Sequence, residues 1–158
     1  MKKLFYEDVH QTEFEAVVTE CTYDEKKKIY KVVFNQTAFF PEEGGQTPDK
    51  GSIDGKEVLD VQIKDDGITH YLAESIEEGS MVKGTIDWQH RFFNMQQHSG
   101  EHLFSGLAHR KYGLKNVGFH LSNQIVTMDF DKPLFNNINF EVKSGEILAI
   151  LGPNGAGK

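Results

Sequence analysis

One cysteine in 158 residues, Cys21, leaves no partner for an intrachain disulfide and excludes a zinc site built from cysteine alone. No apolar run approaches the ~20 residues that a membrane span needs. The N-terminus MKKLFYEDVH also lacks the apolar stretch of a signal peptide. No membrane insertion is expected, and the cytoplasm is the expected location. Basic residues are in the minority: seventeen Lys+Arg face twenty-four Asp+Glu, for a formal charge of −7. That excludes a general nucleic-acid coat, whose affinity rests on neutralising phosphates over a broad basic face. A local basic patch serving one RNA stays possible. Repeats and low-complexity segments are absent, and 38% hydrophobic content is enough to fill a core.

The first ninety residues read as strands. EFEAVVTECTY alternates apolar and polar with period two, DEKKK supplies a charged turn, and IYKVVFN is β-branched and aromatic. EVLDVQIK, the turn Asp65-Asp66-Gly67, ITHYLA and MVKGTIDW continue the pattern. Short strands divided by turns predict a small antiparallel β-barrel over residues 1–87. Asp87 then stands where it can cap a helix over Trp88–Tyr112, with Gly113 as its stop. Phe92, Met95, Ser99, His102, Leu103 and Gly106 fall on one face of that helix, apolar apart from the histidine and serine. VGFHL and QIVTMDF follow as strands. The expected class is α+β, with one long helix.

Two segments carry candidate chemistry. In TAFFPEEGGQTPDKG, Gly44-Gly45 can adopt positive φ and let a ligand or another backbone approach closely. Gln46 offers both a donor and an acceptor, and Thr37 a hydroxyl. A barrel-closing turn explains the same residues. In HSGEH, His98 and His102 are four apart, so on a helix their rings lie one above the other and can share a metal ion. Two histidines that only form hydrogen bonds explain them equally well. Zinc asks for four ligands, or three and a water. His109 lies ~10 Å further along the helix, too far to join the same ion. Gly100 and Gly106 each cost roughly 1 kcal/mol relative to alanine inside a helix. That cost predicts a strand or a substrate packed against the backbone there.

Loop and helix together, with NVGFHLSNQIVTMDFD after them, resemble the editing region of alanyl-tRNA synthetases, and the free-standing AlaX-type editing proteins most of all. The resemblance spans residues 1–131. It implies a small barrel followed by an editing domain, truncated here, over 88–131. The implied activity is zinc-dependent deacylation of seryl- or glycyl-tRNA(Ala), with the tRNA(Ala) acceptor end as partner. By this resemblance His98 and His102 are the first two zinc ligands. Thr37 helps recognise the serine side chain, and Gln46 lines the site. His109-Arg110-Lys111 and Lys115 are expected to meet phosphates locally. The family's other two ligands come from a later Cys-x-x-x-His with no counterpart here. Cys21 has Glu25 four residues on, not histidine, and His120 is a substitute without a spacing argument. The zinc site is therefore expected to be half present and activity impaired; a tRNA-binding module without catalysis is the alternative.

Beyond Lys132-Pro133 the pattern changes again. Gly152-Pro153-Asn154-Gly155-Ala156-Gly157-Lys158, preceded by SGEILAIL, fits G-x-x-x-x-G-K. Residues 132–158 thus resemble the start of an ABC-type ATPase domain, in which Gly152, Gly157 and Lys158 would cradle phosphate. An ATP-binding fragment of an ABC transporter is thus a second alternative, but the cradle needs a following helix N-terminus, and without one in this sequence ATP binding is expected to be negligible. Oligomeric state is not legible in the sequence.

Overall fold

The computed structural model describes residues 1–65, 67–121 and 126–133. The chain forms two compact units. One comprises Met1–Glu43 and Thr47–Phe93; the other comprises Gly44–Gln46 and the chain from Asn94 onward.

The first unit is built from strands β1 (Lys2–Lys3), β2 (Glu13–Asp24), β3 (Ile29–Phe34), β4 (Gln36–Thr37), β5 (Gly51–Ile53), β6 (Lys56–Lys64), β7 (Gly67–Leu72) and β8 (Met81–Ile86). Six of them pair in the order β2-β3-β7-β6-β5-β8, and β8 pairs back to β2, so the pairing closes into a barrel with no free edge. β1 and β4 form a separate parallel pair. The period-two pattern explains the inside. On β2, Phe14, Ala16 and Val18 are buried while Glu13 and Glu15 are exposed; on β7, Ile68, His70 and Leu72 are buried. The apolar ones join Val32, Phe34, Phe39, Ile53, Val61 and their neighbours in one apolar core. Each such side chain contributes ~1.5–3 kcal/mol on burial.

Helix α1 (Trp88–Tyr112) starts where Asp87 caps it: the Asp87 carboxylate accepts from the His90 backbone N–H at 3.1 Å. It stops at Gly113, whose φ of 68° ends the helix while its N–H still donates to the His109 carbonyl at 2.8 Å. Its residues from Asn94 belong to the second unit, with the hairpin of β9 (Asn116–Leu121) and β10 (Val126–Phe130). Ala108, Leu114 and Phe130 form a small core there, flanked by Phe104 and Met128.

The face that α1 buries is not the apolar one: Arg91, Asn94, Glu101 and Ala108 are buried, whereas Phe92, Leu103 and Leu107 are exposed. Their spacing follows the helical repeat, but the stripe is largely polar because partners, not apolar surface, satisfy it. No described strand packs on the helical glycines: a Cβ at Gly100 or Gly106 would meet no described atom within 4 Å.

Candidate functional site

Within the first unit, Arg91 fixes the chain on both sides of the Gly44–Gln46 tip. It is 3% exposed, and its partner Asp49 is 2% exposed. The guanidinium donates to the Asp49 carboxylate, through Nε at 3.1 Å and through Nη2, and to the Ala38 carbonyl. Its remaining nitrogen donates to the carbonyls of Val9 at 3.2 Å and Gln11 at 3.0 Å. Asp49 also accepts from the Phe40 N–H. A buried ion pair survives only when the remaining hydrogen-bonding capacity is used in this way. Sequence reading missed this pair, since its members are 42 residues apart.

Thr37 lies in the same unit and is fully buried. His70, also fully buried, donates from Nδ1 to the Val32 carbonyl at 3.3 Å, which leaves Nε2 to accept from the Thr37 hydroxyl at 2.9 Å. The hydroxyl oxygen in turn accepts from the Phe39 N–H at 3.1 Å. Phe34 and Phe39 pack their rings on His70. Burial disfavours the imidazolium and pulls the His70 pKa down to about 4. The one proton of Thr37 is thus committed to His70.

The second unit assembles the remaining candidates. Gly44 and Gly45 have φ of 61° and 81°. A Cβ on Gly45 would stand 2.1 Å from the Phe119 carbonyl oxygen, so only glycine lets β9 come so near. The Gly45 carbonyl accepts from the Leu121 N–H at 3.2 Å, which seats the tip on that strand. Beside it, the His98 Nδ1 donates to the Gln46 side-chain carbonyl at 2.8 Å. His98 and His102 stack with centroids 4.9 Å apart and planes 28° from parallel, and Phe119 lies 5.5 Å from His98. His102 Nδ1 lies 3.2 Å from the Glu101 carboxylate. One ligand atom from each of His98, Glu101 and His102 falls within 4.8 Å of the others.

The Nδ1 of His98 faces an acceptor, so the neutral ring carries its proton there and its lone pair on Nε2; the Nδ1 of His102 has the Glu101 carboxylate beside it. Hydrogen bonds of this kind are what orient metal-binding histidines. The donor set fits half of a tetrahedral zinc sphere.

The other candidates have surroundings of their own or lie outside the described residues. Cys21 lies on β2, in the strand unit, where its N–H donates to Glu78. His109 caps the chain reversal, Nδ1 donating to the Leu114 carbonyl at 3.0 Å. His120 lies 4.0 Å from Asp129 on the hairpin. Arg110, Lys111 and Lys115 are exposed. Gly152, Gly157 and Lys158 lie outside the described residues.

The family described as tRNA synthetases class II (A) matches residues 2–90, which include the strand unit and the glycine loop. The chain belongs to that family. It is 34% identical over 153 residues to alanyl-tRNA editing protein Aarsd1 of Danio rerio, covering 90% of this chain and 35% of that protein. It is 34% identical over 128 residues to alanyl-tRNA editing protein AlaX-L of Pyrococcus horikoshii, covering 77% and 31%. Similarity to an alanine–tRNA ligase of Ignicoccus hospitalis reaches 37% over 116 residues, covering 71% and 12%. The chain of this family member thus spans about a third of the length of the editing proteins it matches. The family match ends before His98 and does not reach the P-loop-like residues.

Proposed function

We propose that the chain is an aminoacyl-tRNA editing hydrolase that acts on tRNA(Ala) mischarged with serine or glycine, with zinc held by His98 and His102. The observation that carries this reading is the pair of stacked imidazoles, one of them hydrogen-bonded to Gln46 of the glycine loop. Similarity to alanyl-tRNA editing proteins supports the substrate class.

When bound, zinc would supply a Lewis acid toward the water or the aminoacyl group. The protein's own residues do the positioning. Gln46 holds His98, and Gly44-Gly45 keep the tip narrow enough for β9 to approach. The exposed Arg110, Lys111 and Lys115 would meet phosphates near the acceptor end, a local contribution that the acidic remainder does not oppose at short range. Thr37 is not free to donate to a serine hydroxyl, since its proton goes to His70. Two imidazoles supply two of the four donors of a tetrahedral zinc site, so the proposal requires two further donors besides them.

The test is ester hydrolysis of seryl-tRNA(Ala) by the full chain, zinc-loaded and after chelation. The expected result is hydrolysis above the buffer rate that chelation abolishes, with alanyl-tRNA(Ala) spared. Binding of tRNA(Ala) without hydrolysis at any zinc concentration would replace the enzyme with a binding module.

A further inference from the structure

Glu101 is 5% exposed and sits on the buried stripe of α1. A carboxylate taken out of water is destabilising unless its oxygens are satisfied. Two donors satisfy one of its oxygens, and an imidazole nitrogen stands beside the other. Oε1 accepts from the Ser105 hydroxyl at 2.5 Å and from the Asn116 Nδ2 at 2.5 Å. Oε2 faces the His102 Nδ1 at 3.2 Å.

The orientation of Asn116 is over-determined. Its Oδ1 accepts from the Gly118 N–H at 2.9 Å, and its Nδ2 donates to the Ser105 oxygen at 2.9 Å as well as to Glu101. A flipped amide would set N–H against N–H at Gly118 and oxygen against the carboxylate. Asn116 is therefore fixed as a donor toward Glu101. With one oxygen anchored by the hairpin and the helix, the other stands behind the His102 ring. The ionised carboxylate has no proton to give, so the His102 proton must sit on Nδ1. His102 itself is 73% exposed, leaving its far side reachable from solvent.

We propose that Glu101 is a positioning residue: clamped by Ser105 and Asn116, it holds His102 with its proton on Nδ1 and its lone pair on Nε2, turned out for a metal ion. The metal consequence rests on the reading of His102 as a zinc donor; the proton placement does not. Glu101 acts behind the ring, the part that carboxylates commonly play for metal-binding histidines.

An isosteric variant tests this sharply. In Glu101→Gln the carboxamide must turn its oxygen toward Asn116, which can only donate. Its amino group then faces His102 Nδ1, and the proton moves to Nε2. Nitrogen-15 spectra of the metal-free full chain, recorded at about pH 8 where ordinary histidine is neutral, report this placement directly. The expected result is an Nδ1-protonated His102 in the parent chain and an Nε2-protonated one in Glu101→Gln. Glu101→Ala should also release the proton from Nδ1. Zinc titration should show affinity falling ~10–100-fold in Glu101→Gln.

A parent His102 protonated on Nε2, or a Glu101→Gln chain with the parent's pattern, overturns the proposal. A Glu101 that served only the fold would change the melting temperature of Glu101→Gln without moving that proton. If the parent chain binds no zinc, the metal reading fails, while the spectra still decide the placement.

Discussion

The two units of this chain differ in what they bury. Among the described residues, the strand unit buries sixteen hydrophobic side chains in one core, the helix–hairpin unit three. The sequence adds a charge contrast. Residues 1–93 carry eleven Lys+Arg against nineteen Asp+Glu; residues 94–133 carry four against three. The strand unit uses its buried polar groups, Arg91 with Asp49 and His70 with Thr37, to fix backbone. The second unit turns its own toward two imidazoles, one of them highly exposed.

The contrast breaks most easily at Arg91. Arg91→Met leaves Asp49 buried without its counter-charge and frees the carbonyls of Val9, Gln11 and Ala38. Loss of one partner from such a pair costs ~3–5 kcal/mol. Urea denaturation should show that loss, and Arg91→Met with Asp49→Leu should recover part of it, because the pair is then absent from both sides. A loss within about 0.5 kcal/mol for the single variant would mean that the strand unit does not depend on its polar anchor.

Acid gives the next largest effect. His70 titrates at about 4 in the folded chain, against an ordinary value near 6.5 in the unfolded one. Between those values the unfolded chain binds the extra proton, so stability falls as pH drops through that window. About 3 kcal/mol present above pH ~6.5 is lost by the time pH is below ~4. In His70→Leu this contribution to the pH dependence should vanish. Equal acid sensitivity in both chains would place the titrating group elsewhere.

A smaller effect addresses the helix face. Leu103→Gln and Leu107→Gln, at exposed positions, should each change stability by no more than ~0.5 kcal/mol. A loss of ~2–5 kcal/mol, the range for truncating a buried leucine, would restore the apolar face that the sequence pattern favours.

That face shows where sequence reading works and where it stops. The longer strands and the bounds of α1 are legible because alternation and a capping aspartate act locally. β1, β4 and β5, two or three residues each, leave too little pattern to read. The buried stripe of α1 is not legible, since Arg91, Asn94 and Glu101 are buried by distant partners that hydrophobicity does not mark. The pairing of Gln46 with His98 spans 52 residues, and only the resemblance brought loop and helix into one reading. His98 and His102 themselves were legible from their four-residue spacing; Glu101 between them and its partners Ser105 and Asn116 gave no sign.

The smallest expected effect on stability is the most informative about function. His102→Ala removes a ring that is 73% exposed and stacked on His98, and its neighbour Glu101 keeps two other donors. Helix propensity favours alanine over histidine by a few tenths of a kcal/mol, which offsets part of the lost contacts. The net change should lie within ~0.5 kcal/mol. Zinc affinity should nonetheless collapse, because half of the imidazole donors are gone. Zinc titration beside urea denaturation of the same preparation separates the two quantities. A strongly destabilised His102→Ala would show that the ring is packed for the fold, and the contrast in how the two units use their polar groups would no longer hold.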